Sequence, residues 1–167
     1  MGRRAGEAAG CVPGRNRSQM YSGRSDRQVM SDVQAAIDSP VVASGDAGSA
    51  RECLGILAQT GCNGVMIARG ALGNPLIFED CRALWAGKAV PEHSADQLLD
   101  IMVAHVALTC QCKGEARAMP EIRKHALWYL GRLRGAKPFK AAMSQVSTLE
   151  GFEALVAPIR AGKLELK

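Results

Sequence analysis

Two short glycine-containing stretches carry residues that could bind an anion. One is Ser-Gly-Asp at residues 44–46, and the other is Ala-Arg-Gly at residues 68–70. Glycine lets the backbone approach a ligand closely, successive N–H groups can surround an oxyanion, and an arginine adds a bidentate cation. The pair therefore predicts a phosphate site. The alternative is that the glycines only make tight turns and that Arg69 pairs with Asp46 or Glu79.

Each stretch follows a short apolar run that is typical of a buried strand. These runs are at 40–43 and 64–68, and amphipathic helices are predicted at 50–59 and 75–85, the second with Pro75 at its first position. Strand, helix, strand, helix with continuous apolar strands indicates parallel β/α architecture. The two glycine stretches would then be neighbours at the carboxyl edge of one sheet.

The first 39 residues give weaker signals. Residues 3–9 could end a helix, residues 15–27 are polar and basic like a loop, and residues 26–37 have helical apolar spacing with Ser25 or Asp26 as N-cap. A shortened strand is predicted before Pro13. So few strands cannot form a covered parallel sheet alone, and we expect either another copy or further strands from a longer protein.

The second half predicts helices only, at 93–110, 116–133, 138–146 and 148–159, so the chain divides into 1–91 and a helical bundle at 92–167. Residues 113–140 contain eight basic and two acidic side chains, which indicates either a polyanionic partner or a merely solvated helix surface. Trp128 projects from the polar face of the helix at 116–133. It could stack on a nucleotide or pack against the first half of the chain.

Composition excludes several classes of protein. The chain has 167 residues, a net charge of +5 and six cysteines without a framework spacing. No apolar run approaches the roughly 18 residues of a membrane span, and no secretory signal is present, so we expect reduced thiols and a cytoplasmic location. The spacing Cys110-x-Cys112 does not favour zinc, and no metal is expected.

Three motifs in order resemble the tRNA-dihydrouridine synthase family. VPGRNRSQMYSGRSD (12–26) is similar to the family's V-H-G-R-T-R-x-Q-x-Y-x-G-x-A-D. PVVASGDAGS and TGCNGVMIARGALGNPLIF (40–49 and 60–78) are similar to the end of its flavin barrel, and MPEIRKHALWYL (119–130) is similar to its R-K-H-x-x-W-Y stretch. The likeness covers residues 11–156.

The resemblance implies the C-terminal part of a (β/α)8 TIM barrel followed by an all-α helical bundle that binds tRNA. The implied reaction is reduction of tRNA uridine to dihydrouridine by FMN, with NADPH as reductant and a cysteine as acid. The implied contacts to the FMN phosphate are Ser44, Gly45, Asp46, Ala68 and Arg69. The implied RNA contacts are Arg117, Arg123, Lys124, Trp128 and Arg132.

The chain also departs from the family pattern. Pro13 stands where the family has histidine, Ser44 where it has asparagine, and Ala68 where it has glycine. The family's catalytic cysteine and flavin lysine belong to an upstream half of the barrel, so no catalytic residue is assigned here. We expect little activity from the chain alone and a need for a missing barrel half or an oligomer partner. Alternatives are a non-catalytic RNA-binding remnant and another FMN- or phosphate-binding barrel oxidoreductase.

Overall fold

A parallel sheet organises the first half of the chain. In the computed structural model, which describes residues 9–20, 22–162 and 164–167, three strands pair in the order β1-β2-β3. They are β1 (Gly10–Pro13), β2 (Val41–Ser44) and β3 (Gly64–Met66). The seven helices of the described residues are α1 (Arg27–Ala36), α2 (Ala50–Thr60), α3 (Ile77–Trp85), α4 (Ala95–Lys113), α5 (Glu115–Gly131), α6 (Lys137–Met143) and α7 (Leu149–Ala161). A single 3-10 turn spans Arg69–Ala71.

The described residues divide into two units. The first contains the residues up to Ala71 and Ile77–Val90, and the second contains Leu72–Leu76 and Pro91–Lys167. The predicted helix end at 3–9 lies, except for residue 9, outside the described residues. None of the described helices is long and apolar enough to cross a membrane.

The sheet of the first unit packs helices on one face. Val41 and Ala43 of β2 are fully buried and contact Met30 of α1 and Ile56 of α2 in one apolar cluster. A parallel sheet is stable only when its faces are covered, and the apolar side chains of α1 and α2 cover this face. On the other face the pairing register aligns Cys11 with Val42 and places Met66, which is 47% exposed, beside Ser44.

Helix ends follow local chemistry. Asp26 accepts from the first N–H groups of α1, as predicted, and Ser49 caps α2. Gly61 ends α2 in a left-handed conformation at φ 66°. Several predicted boundaries were wrong. β3 ends at Met66 before the 3-10 turn, α4 continues to Lys113 and α6 ends at Met143. α3 begins at Ile77 rather than at Pro75, because residues 72–76 belong to the other unit, where Leu76 is buried.

The second unit is a helical bundle whose core is built from all four of its helices. Helix α5 buries the face that its spacing predicts, including Met119, Ile122 and Leu130. Phe152 of α7 is fully buried in the same cluster. The parallel β/α order and the helical second half are thus as the sequence indicates.

Candidate functional site

The two predicted glycine stretches lie at one edge of the sheet. Pro13, Ser44 and Met66 are aligned in register across the three strands, so the residues that follow each of them leave the sheet at the same edge. Gly70 lies against the turn after β2, since a Cβ added to it would be 2.1 Å from the Ala47 carbonyl oxygen. The absence of a side chain at Gly70 therefore allows the two turns to meet.

The turn after β2 is held in an unusual backbone conformation. Gly45 has φ 152° and Asp46 has φ 49°, the latter in the left-handed region that few residues other than glycine, asparagine and aspartate adopt. A Cβ on Gly45 would lie 2.7 Å from the Cβ of Ser25. Glycine at 45 is therefore required by both the close approach and the backbone angle.

The Asp46 carboxylate is the centre of a network of hydrogen bonds and ion pairs. Arg15 Nη2 donates to its two oxygens at 2.7 and 2.9 Å, and the Ser25 N–H donates to Oδ2 at 2.7 Å. The Ser25 N–H, opposed by desolvation and reinforced by Arg15, lowers the pKa of Asp46 to about 2. Arg69 Nη2 lies 3.7 Å from Oδ1. The alternative in which Arg69 pairs with Asp46 therefore holds in part, because Arg15 is the closer partner.

Arg15 was not predicted as a site residue. Its side chain is only 11% exposed, and it donates to the Gly23 carbonyl at 2.6 Å and to the Ser22 carbonyl at 3.3 Å as well as to Asp46. It thus joins the loop after β1 to the turn after β2. One signal in the sequence could have identified it. Arg15 lies two residues after Pro13, as Asp46 lies two residues after Ser44, and Pro13 and Ser44 are partners in neighbouring strands.

The N-terminus of α2 is already occupied by a side chain of the same helix. Glu52 Oε2 accepts from the Gly48 N–H at 3.0 Å and from the Ser49 hydroxyl at 3.2 Å, while Ser49 caps the Glu52 N–H. This arrangement resembles a capping box, except that Glu52 accepts from the N–H of Gly48 rather than from that of the N-cap Ser49, and it satisfies the Gly48 N–H without an added anion. An anion at this edge would therefore bind to the two turns and to Arg69 rather than to Gly48.

A cavity of about 1300 Å³ opens between the loops. Its walls include both turns, with apolar side chains at Pro13, Met20 and Met66. Among the described residues, the charged side chains that line it are Arg15, Arg24, Arg27, Arg69, Asp26, Asp46 and Glu52. The size accommodates a cofactor-sized ligand, and the excess of arginine suits an anionic group.

The cysteines lie away from this cavity, and none of the described residues that line it is a cysteine. Cys53 is buried, and desolvation, with Cys81 beside it, raises its pKa to about 12. Cys110 Sγ contacts Met119 Sδ at 3.8 Å. Within the part of the chain that the structure describes, no three His, Cys, Asp or Glu side chains cluster as metal ligands.

The predicted RNA-binding residues of α5 fall into two groups. Arg117, Lys124 and Trp128 follow one another at helical spacing, and Arg132 is exposed just after the helix. Arg123 is half-buried, and its Nε donates to the Val146 carbonyl at 2.6 Å, which attaches α5 to the segment before α7. The structure thus gives Arg123 a structural contact that the sequence did not predict.

The basic face of α5 is partly neutralised by one carboxylate. Glu121 pairs with Lys113 of α4 and lies 3.8 Å from Arg117 on its own helix. The hydrogen bond and charge of Lys113 lower the pKa of Glu121, so the carboxylate is charged at neutral pH. One of the cations predicted to meet RNA, Arg117, therefore already has an acidic neighbour.

Trp128 is half-buried in a line of aromatic rings. Its ring meets the edge of His125 at a centroid distance of 4.9 Å, and His125 meets His105 at 5.3 Å. Lys124 Nζ lies 5.2 Å from the Trp128 centroid, a cation–π distance. Desolvation, followed by the charges of His105 and Lys124, lowers the pKa of His125, so this ring is neutral at pH 7.

The parallel strands and the loop-lined cavity at their carboxyl edge are those of an α/β protein, a class in which ligands bind at this end of the sheet. Residues 3–162 match the dihydrouridine synthase (Dus) family, and the chain belongs to this family.

Relatives with assigned names agree with this assignment. The chain is 33% identical to the tRNA-dihydrouridine synthase B of Pseudomonas syringae pv. tomato, over 93% of this chain and 46% of the relative. It is 34% identical to the tRNA-dihydrouridine synthase B of Vibrio cholerae over 82% of this chain and 43% of the relative. A probable tRNA-dihydrouridine synthase of Mycobacterium leprae is 32% identical to this chain, over 90% of this chain and 40% of the relative. The chain spans less than half the length of each of these relatives.

Proposed function

We propose that this chain forms part of a tRNA-dihydrouridine synthase, which reduces uridine in tRNA to dihydrouridine with FMN as cofactor and NADPH as reductant. Family membership and the names of the relatives support the reaction. The observation that carries the proposal for this chain is the contact of Gly70 with the Ala47 carbonyl, which brings Arg69 beside the turn after β2. Two glycine turns and one arginine at the carboxyl edge of a sheet suit a phosphate monoester.

The cofactor contacts in this proposal are Ser44, Gly45, Asp46, Ala68 and Arg69. Backbone N–H groups of the two turns and the Arg69 guanidinium would hold the FMN phosphate, because these groups are donors or cations. Asp46 contributes through its backbone, since its carboxylate accepts from Arg15 and from the Ser25 N–H. When bound, the flavin supplies the hydride that reduces the C5–C6 double bond of uracil.

The barrel and the helical residues complete the proposal. β1 and β3 each pair on one side with β2, and we propose that further strands of a (β/α)8 barrel cover their other edges. Residues 92–167 form the tRNA-binding domain. Arg117, Lys124 and Arg132 would contact tRNA phosphates, with Trp128 beside them, because three exposed cations on one face give a salt-sensitive surface for a polyanion.

A comparison of FMN with riboflavin tests the phosphate site. The two ligands differ only in the phosphate, so titration of flavin fluorescence should show FMN binding at least about tenfold more tightly. Arg69→Ala should remove most of this difference, whereas Arg82→Ala, at an exposed arginine of the same unit, should leave it unchanged. Equal binding of FMN and riboflavin by the unaltered chain would refute the proposed phosphate site.

Filter binding of transfer RNA over a range of salt concentrations tests the RNA surface. Affinity should fall steeply with salt, and Lys124→Ala or Arg132→Ala should each reduce the slope by about 1. Arg51→Ala, at an exposed arginine of α2 in the first unit, is the matched control. Tight binding of tRNA without any binding of FMN would favour the non-catalytic RNA-binding alternative.

A further inference from the structure

We propose that Arg15 is a positioning residue: it neutralises Asp46 and so prevents that carboxylate from drawing the Arg69 guanidinium away from an anion in the cavity. The inference rests on the proposed phosphate site and adds a residue that the site itself does not contain. In this inference, the Asp46 carboxylate and an anion in the cavity compete for the Arg69 guanidinium, and Arg15 decides the outcome by neutralising Asp46. The same geometry explains why an acidic residue can stand in a turn that is proposed to receive a phosphate.

The geometry places Asp46 between the two guanidinium groups. Arg15 Nη2 lies 2.7 Å from Oδ1, and Arg69 Nη2 lies 3.7 Å from the same oxygen. The Arg15 side chain is 11% exposed and the Arg69 side chain is 56% exposed. Both arginines line the cavity, but the loops enclose most of the Arg15 side chain, while more than half of the Arg69 side chain is exposed.

Arg15 is also fixed from its other side. It donates to the Gly23 and Ser22 carbonyls, so its guanidinium is held by main-chain acceptors that do not change with pH. A planar guanidinium with five donors can serve three acceptors at once, which an ammonium group on a flexible chain does less well. Asp46 is therefore paired with a cation that two main-chain acceptors hold in place.

Removal of Arg15 would change the partner of Asp46. The Ser25 N–H hydrogen bond, together with Arg15, keeps the Asp46 pKa at about 2, so the carboxylate is charged at every physiological pH. A partly buried carboxylate that loses its cation is costly, and the nearest remaining guanidinium is that of Arg69. A movement of about 1 Å would bring Arg69 into a full ion pair with Asp46, and the anion site would lose its cation.

A double-mutant cycle tests this competition with FMN as the probe. Arg15→Ala should weaken FMN binding by about tenfold or more, and Asp46→Asn is the second single variant of the cycle, whose own affinity is the reference for the double variant. The double variant R15A/D46N should bind FMN within about threefold of D46N and more tightly than R15A, because no carboxylate remains to capture Arg69. Arg17→Ala, at an exposed arginine of the same loop, is the control and should bind normally.

The rescue separates positioning from a merely structural role. If Arg15 only supports the loop, the double variant will bind FMN no more tightly than R15A, and the inference is overturned. Arg15→Lys keeps a positive charge and should bind with intermediate affinity even if R15A fails to fold. Binding by Arg15→Lys that is as weak as that of Arg69→Ala would also overturn the inference.

Inorganic phosphate distinguishes failure of this inference from failure of the proposed function. Amide NMR titration with phosphate reports on Gly45 and Gly70 directly. If the chain does not bind FMN but phosphate perturbs these amides in an Arg15-dependent manner, the flavin proposal fails and the inference stands. If FMN binds and R15A binds it equally well, only the inference fails. If neither FMN nor phosphate binds, both are refuted.

Discussion

Substitution of Gly70 by alanine should separate the two turns at the edge of the sheet. The new Cβ would lie 2.1 Å from the Ala47 carbonyl oxygen, 3.1 Å from the Ala47 carbonyl carbon and 3.0 Å from the Gly48 Cα. Ordinary van der Waals contact begins at about 3.4 Å, so the turns must move apart by more than an ångström. All three neighbours are backbone atoms, which cannot rotate away as a side chain would.

The magnitude follows from the cost of inserting a methyl group where there is no space. Overpacking costs about 1–3 kcal/mol, and the upper end applies here because only the backbone can yield. For a chain of this size, about 3 kcal/mol corresponds to a fall of roughly 6–12 °C in melting temperature. FMN affinity should fall as well, since Arg69 precedes the displaced glycine.

Differential scanning calorimetry and flavin titration measure the two effects. Gly55→Ala is the matched control: Gly55 lies within α2 of the same unit, and apart from the adjoining backbone of α2 no heavy atom of the described residues lies within 4 Å of its added Cβ. That variant should be stabilised by about 0.5–1 kcal/mol, because alanine favours a helix over glycine. A Gly70→Ala protein that melts within 2 °C of the unaltered chain and binds FMN normally would refute the close contact of the two turns.

Three further predictions concern charge. Glu121→Gln should tighten tRNA binding and steepen its salt dependence by about 1, because it releases the two cations that Glu121 neutralises; filter binding at several salt concentrations measures both. Folding lowers the pKa of Asp46 to about 2, so the charged carboxylate stabilises the folded chain above pH 4 and this contribution is lost as the pH falls toward 2. Urea titrations at pH 5 and pH 2.5 should show this loss of unfolding free energy in the unaltered chain and not in Asp46→Asn. Arg123→Gln should lower the melting temperature through loss of its hydrogen bond to the Val146 carbonyl, worth about 1–3 kcal/mol, and should change tRNA affinity less than twofold.

Local patterns predicted the elements and their order well, because strands, helices and caps depend on neighbouring residues. The apolar runs gave β2 and the start of β3, and the apolar spacing of α5 gave its buried face. The glycine turns were found from the sequence because glycine beside a polar residue at a strand end is a local feature. The role of these turns in binding phosphate, and that of the basic residues of the second half in binding RNA, stay predictions.

What the sequence did not predict depends on contacts between distant residues. Arg15 and Asp46 are 31 residues apart and meet only because Pro13 and Ser44 pair in register. Likewise, the hydrogen bond of Arg123 to the Val146 carbonyl joins α5 to a segment 23 residues further along the chain, so no local pattern predicted it. The predicted start of α3 at Pro75 failed for the same reason, since residues 72–76 pack with a core formed much later in the chain.

The placement of Leu72–Leu76 has a consequence for how such a protein can evolve. The chain contributes these five residues to the second unit, returns to the first for Ile77–Val90 and then leaves it again. A single genetic crossover after Ala71 would separate α3 from the rest of the first unit. One after Val90 would separate Leu76, which is 5% exposed in the helical core, from the rest of the second unit. A single recombination event at either boundary would therefore divide one of the two units, and the units are expected to be inherited together.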